Sequence, residues 1–214
     1  GRRRGRGGSA SRLGARLLQA AESRAFDLMG DFPGGLPKNL YGWCRSFQTD
    51  ELALFESRGM KVARYFFTMG RELDGDLPAA APLPDGLELR PFRDDHDAAV
   101  HAAFNEAFRD HWGFEPMSAD DWRHEFHQAS RFRPDLWLVA WDGDEIAGFV
   151  INVVDPNYIE RVGRKEGVLA EVGTRRAWRK RGLASALLNH SLRALREAGM
   201  EQAMLGVDTE SPTG

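Results

Sequence analysis

Leu183, Leu187, Leu188, Leu192 and Leu195 fall on one face of a 3.6-residue period. They predict a long helix running to about residue 198 and ended by Gly199. Leu13, Leu17, Leu18 and Ala21 repeat that spacing near the start of the chain, and each stretch follows an Arg/Gly-rich segment. The pattern reads as an internal repeat with one copy near each end. A short helix over 50–58 stops at Gly59, and the β-branched and aromatic run 61–69 predicts a strand. Residues 74–86 are rich in Pro, Gly and Ala, show no periodicity, and read as an extended linker.

Beyond the linker the alternation is clearer. A strand is expected over 87–90, a helix over 95–108, and a second helix capped by Ser118 and running to about His127. Strands over 136–141 and 145–154 flank an Asp142-Gly143 hairpin turn, and Asp155-Pro156-Asn157 breaks the second of them. A strand over 167–174 leads through an Arg/Gly loop into the long helix, and 202–207 is a last strand. The order β-α-α-β-β-β-α-β predicts a mixed α/β fold, a central mixed sheet flanked by helices.

Composition narrows the class. The 214 residues are 42% hydrophobic and 29% charged, which suits a packed core with a soluble surface. No apolar run is long enough to span a bilayer, and no signal-peptide order is present. The lone Cys44 fits a reducing compartment and reads as a small buried apolar residue. The expectation is a cytoplasmic protein with no membrane partner. The opening Arg2-Arg3-Arg4-Gly5-Arg6-Gly7-Gly8 resembles an RNA-binding RGG segment. It runs straight into a helix, has no interleaved aromatic, and sits in a chain of net charge −3, so no nucleic-acid partner is expected. The start at Gly1 rather than Met, and the ending at Ser211-Pro212-Thr213-Gly214, suggest a fragment of something longer.

The candidate chemistry lies in Arg179-Lys180-Arg181-Gly182-Leu183-Ala184, between a strand and a helix. A glycine there permits close backbone approach, and the helix start offers unpaired N–H groups and a positive dipole end to a phosphate. Arg179, Lys180 and Arg181 add charge. Taken alone, the segment fits a solvated basic turn equally well. Arg179-x-x-Gly182-x-Ala184, with the strand Leu169-Ala170-Glu171-Val172-Gly173-Thr174 before it, resembles the Q/R-x-x-G-x-G/A motif of the GNAT N-acetyltransferase superfamily. The resemblance covers about 87–214, a GNAT domain truncated after its fifth strand, with any late-helix general acid beyond Gly214. It extends backwards through Arg2-x-x-Gly5-x-Gly7 and Leu54-Phe55-Glu56-Ser57-Arg58-Gly59-Met60. Residues 1–73 therefore look like the second half of a first, degenerate copy, similar to tandem-GNAT proteins of the mycothiol synthase kind. Phe55 stands where many members carry an acidic tyrosine hydroxyl, and phenylalanine has no such proton.

The resemblance implies direct transfer of an acetyl group from acetyl-CoA to a small-molecule or peptide amine. The other reading is a non-catalytic acyl-CoA-binding scaffold. Val172, Gly173 and Thr174 would contact pantetheine and acetyl through the backbone, and Gly182, Leu183, Ala184 and Ser185 would give the pyrophosphate N–H groups. Glu171 is the candidate general base, with a surface carboxylate as the alternative. Glu166 is a weaker candidate, and Asp208 and Glu210 can reach an amine or simply decorate a loop. Trp112 and Phe114 would wall the acceptor pocket near His111, or cover the core. Trp178 either anchors the basic loop or touches the cofactor, and Trp137 and Trp141 read as packing residues. His124 and His127, and His96 and His101, lack a third ligand and a cysteine cluster, so no metal is expected.

Overall fold

The computed structural model describes residues 7–31, 35, 37–79, 81–127 and 130–211. The chain divides into two units after Ala63. Arg2 and Gly5 lie outside the described residues.

The first unit holds α1 (Gly7–Gly30) and α2 (Thr49–Ser57) and, among the described residues, no strand. The helices meet where Leu54 approaches Gly14 and where Arg58 pairs with Glu22. Among the described side chains of α1 Glu22 is buried, whereas Leu13 and Leu17 of the leucine stripe are exposed and Leu18 is half-buried. The Phe55 ring packs on Gly42, where a Cβ would stand 2.9 Å away.

The second unit is a six-stranded sheet in the order β1-β6-β5-β4-β3-β2. Its strands are β1 (Phe66–Glu72), β2 (Leu87–Pro91), β3 (Leu138–Asp142), β4 (Glu145–Val154), β5 (Glu166–Thr174) and β6 (Gln202–Asp208). All neighbours are antiparallel except β5 and β6. The strand expected from the aromatic run before residue 74 is β1, paired with β6 along its whole length from Phe66↔Asp208 to Glu72↔Gln202.

Helices cover both faces. On one face α6 (Leu183–Glu197) buries Leu183, Leu187 and Leu195 against Val150, Leu169 and Ala203. Leu188 and Leu192 are half-buried beside them. On the other face α3 (Asp97–Phe108) and α4 (Ala119–Phe126) bury Phe104, Trp122 and Phe126 against Trp137, Trp141, Phe149 and Ile151. Ser118 caps α4 by accepting from the Asp121 N–H, and Asp97 ties α3 to α4 by accepting from the Trp122 indole at 2.8 Å. The segment after β1 is held along α6. Leu77 and Leu83 pack on the α6-side core, and Arg193 and Arg196 donate to the carbonyls of Pro78 and Gly75.

Asp155-Pro156 does more than end β4. Asp155 accepts from the N–H groups of Asn157 and Tyr158 and opens a short helix, α5 (Pro156–Val162), which closes on Gly163 in the left-handed region. The cap, the proline at the first helical position and the terminal glycine form a complete local helix signal, so the expected break at 155–157 is a helix start.

Candidate functional site

The site begins where two strands part. β5 and β6 run parallel in register from Glu166↔Gln202 to Leu169↔Leu205, and the pairing stops there although both strands continue. Backbone groups of 170–174 on the side away from β4 thus face an opening rather than a partner strand. At the same point β5 carries a bulge: Ile151 pairs with Glu171 but Asn152 pairs with Leu169, leaving Ala170 as an extra residue. Leu169 packs on the α6 side and Ile151 on the α3–α4 side. The bulge therefore moves Glu171 off the face that strict alternation from Leu169 would give it.

Glu171 is half-buried, and its carboxyl is pushed up to about 7, by burial first and by the nearby Glu125 carboxylate second. Val172 faces the α6 side and packs on its core. Gly173 lies under the Phe149 ring, which a Cβ would meet at 2.3 Å, so the strand can pass only without a side chain. The Thr174 hydroxyl is buried without a hydrogen-bond partner in the described structure.

The loop that follows is pinned from beneath. Trp178 is buried and donates its indole N–H to Asp142 at 2.8 Å, so it anchors the loop. Arg175 donates to Glu106 and to the Ile146 carbonyl. Arg176 pairs with Asp110. Arg179 is drawn inward too, donating to the carbonyls of Thr174 (3.1 Å) and Ala107 (2.9 Å) and to Asp110 (3.2 Å). Arg176 first, then Arg179, hold the Asp110 carboxyl below the usual carboxylate range. Arg179 thus fastens the loop to the end of α3, while Lys180 and Arg181 remain on the surface.

Lys180, at φ 61°, is the one non-glycine with positive φ among the described residues, and Gly182 follows at φ 84°. Gly182 is the N-cap of α6 and offers no capping side chain. The N–H groups of Leu183, Ala184 and Ser185 therefore have no intrahelical acceptor. Among the described residues nothing lies within 4 Å of where a Gly182 Cβ would stand. Two left-handed residues ahead of a helix N-terminus form a concave array of N–H groups suited to an anion. The uncapped helix start, its surface cations and the adjoining strand opening fit the pyrophosphate and pantetheine arm of an acyl-CoA.

Arg179→Lys separates two roles for that arginine. If it acts on the ligand by charge, lysine will serve; if it fastens the loop, lysine cannot reproduce three divergent hydrogen bonds. The expected result is acetyl-CoA affinity lowered about tenfold, the loss of one or two charge-assisted contacts. Calorimetric titration checks it.

On the far side, the loop after α3 brings in His111 and Trp112. Burial pushes the His111 imidazole below its usual value, against the pull of Asp208. Trp112 is exposed, with the Arg64 guanidinium 5.7 Å from its ring centroid. Phe114 instead packs half-buried against Phe104. Asp208, at the end of β6, pairs with Arg64. Glu166 is buried at the opposite end of β5 and pairs with Arg164. Arg64, Asp110 and Arg175 had no motif to reveal them, because their partners are distant in sequence. Among the described residues no three His, Cys, Asp or Glu side chains gather as a metal site. Nor is any helix among them long and apolar enough to cross a membrane.

The acetyltransferase (GNAT) family profile matches residues 98–212. A mycothiol acetyltransferase of Saccharopolyspora erythraea is 32% identical over 201 residues, covering 92% of this chain and 63% of that protein. Its counterpart in Actinosynnema mirum is 30% identical over 209 residues, covering 96% and 63%. The chain thus spans less than two thirds of these relatives. A crystal structure of a GCN5-related N-acetyltransferase from Sphaerobacter thermophilus superposes with a TM-score of 0.77 at 30% identity, over 98% of this chain and 62% of that one.

Proposed function

Because the chain belongs to the acetyltransferase (GNAT) family, we propose that it forms the donor site and general base of an N-acetyltransferase acting by direct transfer. The observation that carries this reading is the parting of β5 from β6 beside the uncapped start of α6. Acetyl-CoA supplies an acetyl thioester, whose carbonyl carbon an amine nitrogen attacks with release of the CoA thiol. Gly182 to Ser185 hold the pyrophosphate through backbone N–H groups, with Lys180 and Arg181 adding charge. Val172, Gly173 and Thr174 line the pantetheine path, and the N–H groups of Val172 and Thr174, which alternate with those turned toward β4, meet the charge that grows on the carbonyl oxygen. Glu171 takes the proton from the incoming ammonium, directly or through one water. With its carboxyl at about 7, it is close to half ionised at neutral pH and can accept that proton and release it again.

The acceptor is a small-molecule amine on this reading, as the names of the mycothiol acetyltransferases suggest. Glu171 with Glu125 nearby gives the acceptor side a negative character suited to an ammonium group. Trp112 walls this side. The N-terminal unit, with Phe55 in place of a tyrosine, is a structural remnant of a first copy.

Acetyl-CoA-dependent thiol release across a panel of small amines and amino-sugar conjugates tests the proposal. Amine-dependent release with a stable acetylamide product supports it. Tight acetyl-CoA binding with no release on any amine would favour the scaffold reading.

A further inference from the structure

We infer that Arg64 is a positioning residue of the acceptor side, fixing Asp208, the turn at Glu210 and the face of Trp112 at the open end of the β5–β6 split. This rests on the acetyltransferase reading. Arg64 lies before the 74–86 segment and outside the 98–212 family match, so nothing within the domain itself announces it.

The geometry follows from β1. Antiparallel pairing places Phe66 opposite Asp208, so the residues just before β1 wrap the end of β6. The Tyr65 carbonyl accepts from both the N–H and the hydroxyl of Thr209. Arg64 reaches further and uses all three of its nitrogens. Nε donates to both Asp208 oxygens at 2.9 and 3.1 Å, Nη1 to the Glu210 carboxylate at 3.2 Å, and Nη2 to the Glu210 carbonyl at 2.8 Å. Its side chain is 14% exposed and that of Asp208 is 11% exposed, so this is a sheltered pair rather than a surface one. The guanidinium also covers Trp112.

Two consequences follow. Asp208 also accepts from the Glu210 N–H at 3.0 Å, and its charge is paired with the Arg64 guanidinium. An acceptor ammonium meets a neutralised pair there, which leaves Glu171 and Glu125 as the carboxylates that attract it. Second, Arg64 offsets part of the pull that Asp208 already exerts on His111. Among the described residues, charged groups that act on His111 include Asp208, Arg179 and Asp110, with the Phe108 ring 4.6 Å away. Remove Arg64, and an uncompensated Asp208 draws a proton onto His111. A cation then stands at the acceptor mouth and repels the ammonium.

The test is an NMR pH titration of the histidine ring signals in the full chain, with His111 assigned through His111→Asn. Arg64→Ala is expected to move the His111 midpoint upward by roughly one pH unit. Arg64→Lys should restore most of it. Asp208→Asn, which keeps the side-chain shape and stands in if Arg64→Ala does not fold, should move the midpoint downward. On an accepted amine, Arg64→Ala should raise the amine KM about tenfold while the acetyl-CoA KM stays within twofold. An unmoved His111 midpoint in folded Arg64→Ala, or in Asp208→Asn, overturns the inference. Failure of the parent chain to bind acetyl-CoA would instead sink the acetyltransferase reading, and the histidine shifts would remain interpretable.

Discussion

Gly182→Glu is expected to abolish acetyl-CoA binding in calorimetric titration, with affinity falling at least about 100-fold. Gly182 stands at φ 84° as the N-cap of α6, a conformation that costs a residue with a Cβ about 1–2 kcal/mol. A carboxylate there would occupy the same N–H array as the pyrophosphate and repel it. The helix itself should survive, because acidic groups near a helix N-terminus are favourable by about 0.3–1 kcal/mol. Far-UV circular dichroism should therefore change little, and the melting temperature should fall by only about 2–4 °C, while binding disappears. Gly182→Ala carries the backbone penalty without the charge, and a milder loss of about tenfold is expected. Equal binding by Gly182→Glu and parent would show that the phosphates lie elsewhere.

Glu171→Gln should lower kcat by about 10²- to 10⁴-fold, the usual worth of a positioned general base, with the acetyl-CoA affinity unchanged. The carboxylate is the active form and its carboxyl titrates at about 7, so parent kcat/KM should rise with pH through about 7. That limb should vanish in the variant. Glu125→Gln removes the second cause of the raised value and should slide the limb to lower pH. Stability moves in the opposite sense. The folded carboxyl sits above its ordinary 4.5, so the folded state holds the proton more tightly than the unfolded chain. The favourable term is complete below the ordinary value and is lost as pH rises to about 7. Glu171→Gln should thus be more stable than the parent above pH 7, by roughly 1–3 kcal/mol once partial solvent contact is allowed for, and no more stable at pH 4. Thermal melts at the two pH values check this. Retention of activity within tenfold, with the limb intact, would remove Glu171 from the mechanism.

Much of this protein was legible as local pattern. The leucine face of α6, the Ser118 cap, the Asp142-Gly143 turn and the apolar runs of β3 and β4 each depend on residues within a few positions of one another. So does the proposed anion site, since a glycine opening a helix after a strand has its geometry set by its own backbone. The mixed sheet flanked by helices follows from the order of those elements. The local signal for α5 is present in Asp155, Pro156 and Gly163 as well, but the same Asp-Pro pair also suits the end of a strand.

Only the tertiary structure decided the rest. β1 reads as a strand from its aromatic run, yet its partner is β6, across the linker and most of the chain. Strand edges carry uniform N–H and C=O groups, which hold no address for a partner. Glu171 is visible as a strand carboxylate, but the extra residue at Ala170 sets its face, and burial sets its proton affinity. Arg179 shows its charge in the sequence; that the charge turns inward to Thr174, Ala107 and Asp110 depends on where α3 ends. Arg64 shows nothing until β1 carries it to Asp208. Helix faces and turns are short-range properties of the chain, whereas strand pairing, desolvation and ion-pair choice are set by groups that only folding brings together.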